Sequence, residues 1–266
     1  MKPAIIISTK DKAGMNIKAQ LEKLKISIPV IEFEKEIIYA ENIDKSNEAK
    51  YADFIIFASR HQSERKTASL CVHPIGNFHK AEFGGKDEKL CQTSSNLLKI
   101  FFQNLNKIAR QEKLEGFEIT LECTHHGPYV EKPCLFIEIG SSEKQWENEK
   151  AARVIAETIK KSIEEANKKP AEKFIPAIGI GGPHYCPNFN KIQLNSDYAI
   201  GHIIPEYSLP VSEELIKQAL NKTIPKPEIV LSDWKGLGKS EEKQKLLEIL
   251  KKLNIKLMRT SEIEKE

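Results

Sequence analysis

The hydrophobic positions of the chain form short apolar runs separated by longer stretches of helical periodicity. Eight runs rich in β-branched residues predict strands, and several are apolar on both faces, as buried central strands are. The runs cover residues 4–8, 53–59, 68–73, 117–123, 134–140, 175–180, 198–204 and 228–231.

Between the runs, apolar residues recur at helical spacing and leave the other helix face to Lys and Glu. The two clearest stripes are Leu97 or Leu98 with Phe101, Leu105 and Ile108, and Ala152 with Ile155, Ile159, Ile163 and Ala166. Two further helices are predicted to begin near Ser212 and near Ser240. This alternation predicts an α/β fold, with three α/β/α layers around a mainly parallel or mixed central sheet.

The length of 266 residues suits one large α/β domain or two small ones. The best candidate boundary is the lysine-rich stretch 168–174, which is only a short turn between a predicted helix and a predicted strand. The chain has no internal repeat, low-complexity segment or long linker. We therefore predict a single α/β domain over residues 1–266.

Composition changes this picture little. Lys and Arg total 41 against 38 Asp and Glu, so any contact with nucleic acid has to come from a local patch. The sequence holds no run of about 18 apolar residues, and its first apolar run is too short for a signal peptide, which predicts a soluble cytoplasmic protein without a membrane partner. The five cysteines include no C-x-x-C pair, which argues against a disulfide framework or a zinc ribbon.

Histidines collect where the predicted strands end. His61 follows the second strand, His73 closes the third, His125 and His126 follow the fourth, and His184 follows the sixth. Because the carboxyl ends of parallel strands share one edge of an open α/β sheet, these exits are predicted to converge there. A cap or a bond to a backbone carbonyl is the more common role for any single histidine, but the grouping favours a functional site.

The loops that carry these histidines differ from the other loops of the chain. The segments SRHQS (59–63), HPIGN (73–77), THHGP (124–128) and GGPHYCP (181–187) join His to Gly, Pro or small hydroxyl residues. Gly permits close backbone approach to a ligand and Pro stiffens the turn. Simple turn chemistry is the alternative explanation for each loop taken alone.

Carboxylates accompany the histidines. Strand alternation places Glu118 and Glu122 on one face, with Glu122 nearer the strand end. Glu138 interrupts an apolar strand, where a carboxylate is destabilising unless it is paired, hydrogen-bonded or metal-bound. A buried ion pair with Lys, Arg or His is the alternative to a functional role. From a turn such as THHGP, the His125 and His126 rings are expected to face different ways.

Imidazole and carboxylate groups suit a catalytic zinc ion, which keeps a coordination position open for water. No H-E-x-x-H motif is present, and adjacent histidines on a regular strand cannot share one metal ion. The segment DWKGLGKS fails as a P-loop because Asp233 stands where glycine is required. Lys235 and Lys239, with two glycines ahead of a helix, still predict an anion site, although an ordinary strand-to-helix turn explains them equally well.

Taken in order, several segments resemble the motif series of the archaeal and plant type of D-aminoacyl-tRNA deacylase. They are SRHQS, HPIGN, AEFGG, ECTHHGP, FIEIGSS followed by Trp146, GGPHYCP and GHIIPEY, and the resemblance extends to about DWKGLGKSE. The pairing of THHGP with GGPHY is its most specific part. The resemblance implies an α/β fold of the phosphorylase and peptidyl-tRNA hydrolase class, zinc, a cytoplasmic setting, and cleavage of the ester between a D-amino acid and the terminal ribose of tRNA.

Residue chemistry and resemblance together assign expected roles. Water activation is expected from His125, His126 and His184 with Glu138 or Glu122, and zinc binding from His125, His126, His184 and Glu138. Substrate contacts are expected from His61, His73, Asn77, Gly181, Gly182, Tyr185 and His202, and contacts to tRNA phosphate from Lys235 and Lys239. The expected partner is tRNA carrying a D-amino acid. No obligate protein partner is implied, and the protein is expected to be a monomer or a small homo-oligomer.

Two other functions use the same residues. One is a zinc-dependent amidohydrolase or peptidase that acts on a small amide. The other is a non-catalytic module that binds the end of tRNA, with the histidines making hydrogen bonds only.

Overall fold

The structure, a computed structural model, describes residues 1–64, 66–168 and 174–263. Its strands are β1 (Pro3–Ser8), β2 (Val30–Phe33), β3 (Phe54–Gln62), β4 (Ser69–His73), β5 (Thr93–Ser94), β6 (Glu118–Leu121), β7 (Cys134–Ser141), β8 (Ile175–Ile180), β9 (Tyr198–Ile204), β10 (Thr223–Ile224), β11 (Ile229–Ser232) and β12 (Lys256–Arg259). Its helices are α1 (Lys12–Lys23), α2 (Ser95–Gln111), α3 (Glu143–Trp146), α4 (Glu149–Lys168), α5 (Pro187–Asn195), α6 (Glu213–Lys222) and α7 (Ser240–Lys252).

Each of the eight predicted strands and four predicted helices is present. The structure adds helices α1, α3 and α5 and the short strands β2, β5, β10 and β12. Residues 169–173 of the candidate boundary lie outside the described residues. Along the described ranges, no helix is both long enough and apolar enough to cross a membrane.

The strands divide between two main sheets. The larger has the order β2-β1-β3-β7-β4-β6, in which β4 is antiparallel to β7 and every other pair of neighbours is parallel. The smaller has the order β12-β11-β8-β9 and is parallel throughout. The short pair β5 and β10 contacts both sheets. The α/β fold with mainly parallel or mixed pairing is therefore confirmed, but the strands form two main sheets instead of the one central sheet that the sequence predicts.

Helices cover one face of the larger sheet. There α1 and α2 each pack against α4, and α2 also contacts β9 of the smaller sheet. One hydrophobic cluster therefore includes residues of both sheets. The opposite face is covered by loop residues such as Ile37, Ala49 and Ile75, which pack on Phe57 and Phe136. The polar side chains discussed below lie on this second face.

A buried lysine fixes α2 against the smaller sheet. Lys99 is 1% exposed, and its Nζ donates hydrogen bonds to the carbonyls of Gln193 at 2.8 Å, Ser196 at 2.6 Å and Tyr198 at 2.9 Å. These carbonyls lie at the end of α5 and the start of β9. The ammonium group therefore satisfies backbone acceptors that would otherwise be buried without a donor.

We expect Lys99→Met to lower the free energy of unfolding by about 2–4 kcal/mol, because it leaves buried carbonyls without their donor. Urea unfolding followed by circular dichroism measures the change. Lys107→Met is the matched control, since Lys107 is exposed on the same helix, and it should change stability by less than about 0.5 kcal/mol. Equal losses in both variants would contradict the role given to Lys99.

Candidate active site

The register of the larger sheet aligns polar residues on its loop-covered face. One row across β3, β7, β4 and β6 consists of Ser59, Glu138, Cys71 and Thr120. Side chains two positions along a strand point to the same face. His61, His73 and Glu122, each two residues from a member of this row, therefore lie on that face as well.

The antiparallel direction of β4 changes how the histidines meet. Since β4 and β6 run opposite to β3 and β7, His61 enters from one end of the strands and His73 from the other. The prediction that all these strand exits share one sheet edge is therefore wrong. The rings meet above the face of the sheet, where Glu138 Oε2 lies 3.6 Å from both His61 Nδ1 and His73 Nε2.

Glu138 is a buried carboxylate held by several polar groups. It is 2% exposed, the Ser59 hydroxyl donates to its Oε1 at 2.6 Å, and the Cys71 thiol lies 3.7 Å from its Oε2. Burial alone would raise the pKa of Glu138, but the His61 and His73 imidazoles hold that pKa well below its ordinary value. The buried ion pair with histidine, one of the two explanations of Glu138 from sequence, is present.

Glu122 is fully buried just beyond β6, and neither of its carboxylate oxygens has a hydrogen-bond partner among the described residues. Its Oε1 lies 3.3 Å from His61 Nδ1, and its Oε2 lies 3.6 Å from both His125 Nε2 and His184 Nε2. Burial opposes ionisation, yet the neighbouring imidazoles lower the pKa of Glu122. A buried carboxylate whose oxygens lack hydrogen bonds can still accept them from a water or a ligand.

His73, His125 and His126 form a trio in which one ring nitrogen from each lies within 4.8 Å of the others. Their Nδ1 atoms lie 3.0, 2.8 and 2.6 Å from the backbone carbonyls of Pro74, Cys123 and Gly127, respectively. An N–H donated to a carbonyl fixes the tautomer and leaves Nε2 available as an acceptor or metal ligand. Burial lowers the pKa of His126 to about 4 and lowers that of His125 well below its ordinary value, so both rings are neutral at pH 7.

The expectation that the His125 and His126 rings face different ways is wrong. Their centroids are 4.3 Å apart, and they lie 4.2 and 4.9 Å from the centroid of His73. The segment is not a regular strand, and His126 has a left-handed φ of 39°. Successive side chains therefore do not alternate between two faces as they would in a strand.

His184 brings the smaller sheet to the site. Its Nδ1 lies 3.1 Å from the Tyr207 hydroxyl and 3.3 Å from Cys123 Sγ, while its Nε2 faces Glu122. Burial opposes protonation, but Cys123 and Glu122 raise the pKa of His184 to about 10. The ring is therefore a positively charged imidazolium at neutral pH, with both nitrogens protonated, whereas His125 and His126 are neutral.

His61 has a similar environment on the other side of Glu122. Its Nε2 lies 3.1 Å from the Tyr185 hydroxyl, and the Glu138 and Glu122 carboxylates raise its pKa against the effect of burial. Sequence reasoning missed Ser59, Cys71 and Tyr207 as parts of this site. For Ser59 a signal was available, because it precedes His61 by two residues and so shares its strand face.

Two of the predicted substrate contacts have other roles. His202 is fully buried, its Nδ1 lies 3.1 Å from Thr124 Oγ1, and its Nε2 lies 3.0 Å from the carbonyl of Cys91. Both ring nitrogens are thus engaged inside the protein. Asn77 donates to the carbonyl of Gly84 at 2.9 Å and braces that loop. His202 is therefore corrected from a substrate contact to a supporting residue, whereas the substrate contact of Asn77 stays a prediction beside its bracing role.

Gly181 and Gly182 serve packing within the smaller sheet. Both have left-handed φ values, 89° and 80°, and a Cβ atom at these positions would lie 2.6 Å from the carbonyl oxygen and 2.9 Å from Oδ2 of Asp233. Glycine is therefore required for two loops of this sheet to approach each other. The structure gives these glycines no place against a ligand in the cleft that the histidines line.

The predicted anion site before α7 is taken by a side chain of the protein. Glu242 Oε2 accepts a hydrogen bond from the backbone N–H of Lys239 at 2.8 Å, which places a carboxylate where an external phosphate was expected. Lys235 and Lys239 are exposed, and Lys235 lines a separate cleft of about 410 Å³ beside Lys191. Neither lysine lines the cleft that contains the histidines.

The histidines open into a cleft of about 880 Å³. Its lining includes His61, His125, His126, His184 and Glu138, together with Arg60, Phe83 and Trp146. This volume lies within the range of sites for small ligands and cofactors. An ionised carboxylate beside both neutral and protonated imidazoles can take a proton from water and deliver one to a leaving group, which is the requirement for hydrolysis.

His202 generates a prediction for the pH dependence of stability. Burial lowers its pKa from 6.5 to about 4, so between these values the unfolded chain binds a proton that the folded protein does not, and stability falls as the pH falls. When the pH is lowered from about 7 to about 4.5, the free energy of unfolding should fall by about 2 kcal/mol less in His202→Gln than in the wild type. Urea titrations at both pH values measure this difference, and parallel losses would contradict it.

Comparison with known proteins identifies the family. Residues 48–258 match the family model described as D-aminoacyl-tRNA deacylase. A protein of that name from Pyrococcus furiosus is 36% identical, with 96% of this chain and 99% of that protein covered, and one from Methanocaldococcus jannaschii is 33% identical, with 93% and 95% covered. A solved structure described as a conserved protein of unknown function is 29% identical, with a TM-score of 0.88 over 98% of this chain and 96% of the other. The chain belongs to the D-aminoacyl-tRNA deacylase family, as its motif series predicts.

Proposed function

We propose that the protein hydrolyses the ester that joins a D-amino acid to the 3′-terminal ribose of tRNA, releasing the amino acid and free tRNA. Glu122 carries the proposal, because it is an ionised carboxylate without hydrogen bonds among the described residues and faces His125 and His184. Family membership supports an aminoacyl ester as the substrate. The expected partner is tRNA, and the expected compartment is the cytoplasm.

Ester hydrolysis needs a base for the attacking water, a donor for the oxyanion and an acid for the leaving oxygen. In the proposed reaction Glu122 accepts the proton of the water. His184, whose pKa is raised to about 10, holds a proton 3.6 Å from Glu122 and delivers it to the ribose oxygen. His61, held between Glu138 and the Tyr185 hydroxyl, donates to the developing oxyanion.

The residues at the site also fit zinc. His73 Nε2 and both Glu122 oxygens are buried and lack hydrogen-bond partners within the described ranges. His73, His125 and His126 offer ring nitrogens that converge, and neutral imidazole is a preferred zinc ligand. This trio would hold the ion, which would supply Lewis acidity and lower the pKa of a bound water.

The trio differs from the ligand set predicted from the sequence. His73 joins His125 and His126, whereas His184 groups with Cys123 and His125, and Glu138 groups with His61, Cys71 and Glu122. In the proposed site His184 and Glu138 therefore act beside the trio. His184 is a protonated imidazolium, and Glu138 Oε2 lies 3.6 Å from Nε2 of His73, next to the trio.

Deacylation of matched D- and L-tyrosyl-tRNA by the purified protein tests the proposed function. We expect release of D-tyrosine to be faster, and equal rates for the two substrates would contradict a preference for D-amino acids. Loss of labelled tyrosine from acid-precipitable tRNA measures both rates.

The same assay tests the proposed base with two variants. Glu122→Gln is expected to lower kcat by about 10²–10⁴-fold, because an amide cannot accept the proton of water. Glu118→Gln, at an exposed position on β6, should retain the wild-type rate. A Glu122→Gln variant that is folded by circular dichroism and fully active would exclude Glu122 as the base.

Zinc binding has its own measurement. Adding ZnCl₂ to the metal-free protein should raise its melting temperature, since a ligand at 100 times its Kd stabilises the folded state by about 2.7 kcal/mol. His73→Ala should abolish most of this increase, whereas His79→Ala, at an exposed position whose ring bonds the carbonyl of Ser208, should preserve it. An unchanged zinc response in His73→Ala would exclude His73 as a ligand.

A further inference from the structure

We infer that Phe83 stacks on the adenine of the 3′-terminal adenosine of tRNA and so places the ester in front of the histidines. The inference rests on the proposed function and adds the residue that holds the nucleoside. Three observations carry it, namely the exposure of the ring, the rigidity of its loop and its position next to His126.

Phe83 is exposed although it lines a functional cleft. Its side chain is 63% exposed, and it shares the cleft with His125 and His126. Ile37 and Ile38 line the cleft as well, which places apolar side chains in the same wall as Phe83. Covering an exposed aromatic ring with a flat apolar surface is favourable, and a nucleobase offers such a surface.

The loop that carries Phe83 is held at three points. The carbonyl of Phe83 accepts a hydrogen bond from Gly127 N at 2.9 Å, the carbonyl of Gly84 accepts one from the Asn77 side chain, and Gly85 N donates to Glu41 Oε1 at 2.7 Å. The backbone that carries the ring is therefore held in place before a ligand binds. The entropy lost on stacking is correspondingly small.

The same hydrogen bonds place the ring beside the reacting groups. Gly127, which binds the carbonyl of Phe83, directly follows His126 in the chain. In aminoacyl-tRNA a single ribose separates the adenine from the esterified oxygen. A base stacked on Phe83 therefore keeps the ester within the part of the cleft lined by His125 and His126.

Stacking recognises the adenine and not the amino acid, which separates this role from a contact with the amino-acid side chain. Both D-tyrosyl-tRNA and D-alanyl-tRNA end in the same adenosine. Loss of the Phe83 ring should therefore weaken the binding of both substrates by the same factor. A contact with the amino acid would instead affect the large tyrosyl group more than the alanyl group.

Steady-state kinetics of four proteins test the inference. Phe83→Leu, which keeps an apolar side chain without an aromatic face, is expected to raise KM about tenfold for D-tyrosyl-tRNA and D-alanyl-tRNA alike, with kcat changed less than about twofold. Phe83→Trp should keep the wild-type KM. Tyr51→Leu is the control, because Tyr51 is 77% exposed and lies outside the lining of the cleft, and its KM should match the wild type.

Binding of adenosine 5′-monophosphate, measured by calorimetry, separates this inference from the proposed function. Phe83→Leu should bind the nucleotide about tenfold more weakly than the wild type and Phe83→Trp should not, whether or not the wild type deacylates tRNA. An unchanged KM and nucleotide affinity in Phe83→Leu would overturn the inference, as would a KM effect confined to D-tyrosyl-tRNA. A wild type that binds the nucleotide through Phe83 but fails to deacylate would reject the proposed function alone.

Discussion

Two carboxylates buried in the face of one sheet determine how the rest of the site is organised. Glu138 and Glu122 are 2% and 0% exposed, and each remains ionised only because imidazoles surround it. Both carboxylates in turn raise the pKa of His61, and Glu122 helps raise that of His184, whereas His125 and His126 stay neutral through burial. Protonated imidazoles, which can donate a proton, and neutral imidazoles, which can accept one, thus lie within one cleft. Acid and base catalysis requires both kinds of group.

The antiparallel strand β4 makes this arrangement possible. If β4 and β6 ran parallel to β7, their histidines would leave the sheet at the same edge as His61, and Glu138 could not contact imidazoles from both ends of the strands. The smaller sheet then closes the site, because Cys123 N donates to the carbonyl of His184 at 3.0 Å and Thr124 N donates to that of Ile203 at 3.0 Å. The segment that leads to His125 is therefore bonded to both sheets.

Sequence patterns predicted the long elements because burial imposes clear periodicities on them. The patterns did not predict α1, because its apolar stripe consists only of Ala13, Ile17 and Leu21 and its buried side also contains Gly14. Strands β2 and β12 were not predicted either, because both are short and partly charged. The direction of β4 was beyond prediction for a physical reason, since a strand has the same alternation of side chains whichever way its neighbour runs. The convergence of the histidines was therefore expected, but at the wrong place on the sheet.

The histidines show why composition could not separate reacting residues from supporting ones. His202 and His73 are both fully buried, and the difference between them is the second ring nitrogen, which bonds the carbonyl of Cys91 in His202 and lacks a hydrogen-bond partner among the described residues in His73. That difference depends on strands far apart in the sequence. The turn that orients His126 also connects the histidines to Phe83, because the backbone N–H of Gly127 in this turn donates a hydrogen bond to the carbonyl of Phe83. A shift of this turn would move the bare nitrogens and the proposed stacking surface together, so positioning of the nucleoside and hydrolysis of its ester depend on the same few backbone hydrogen bonds.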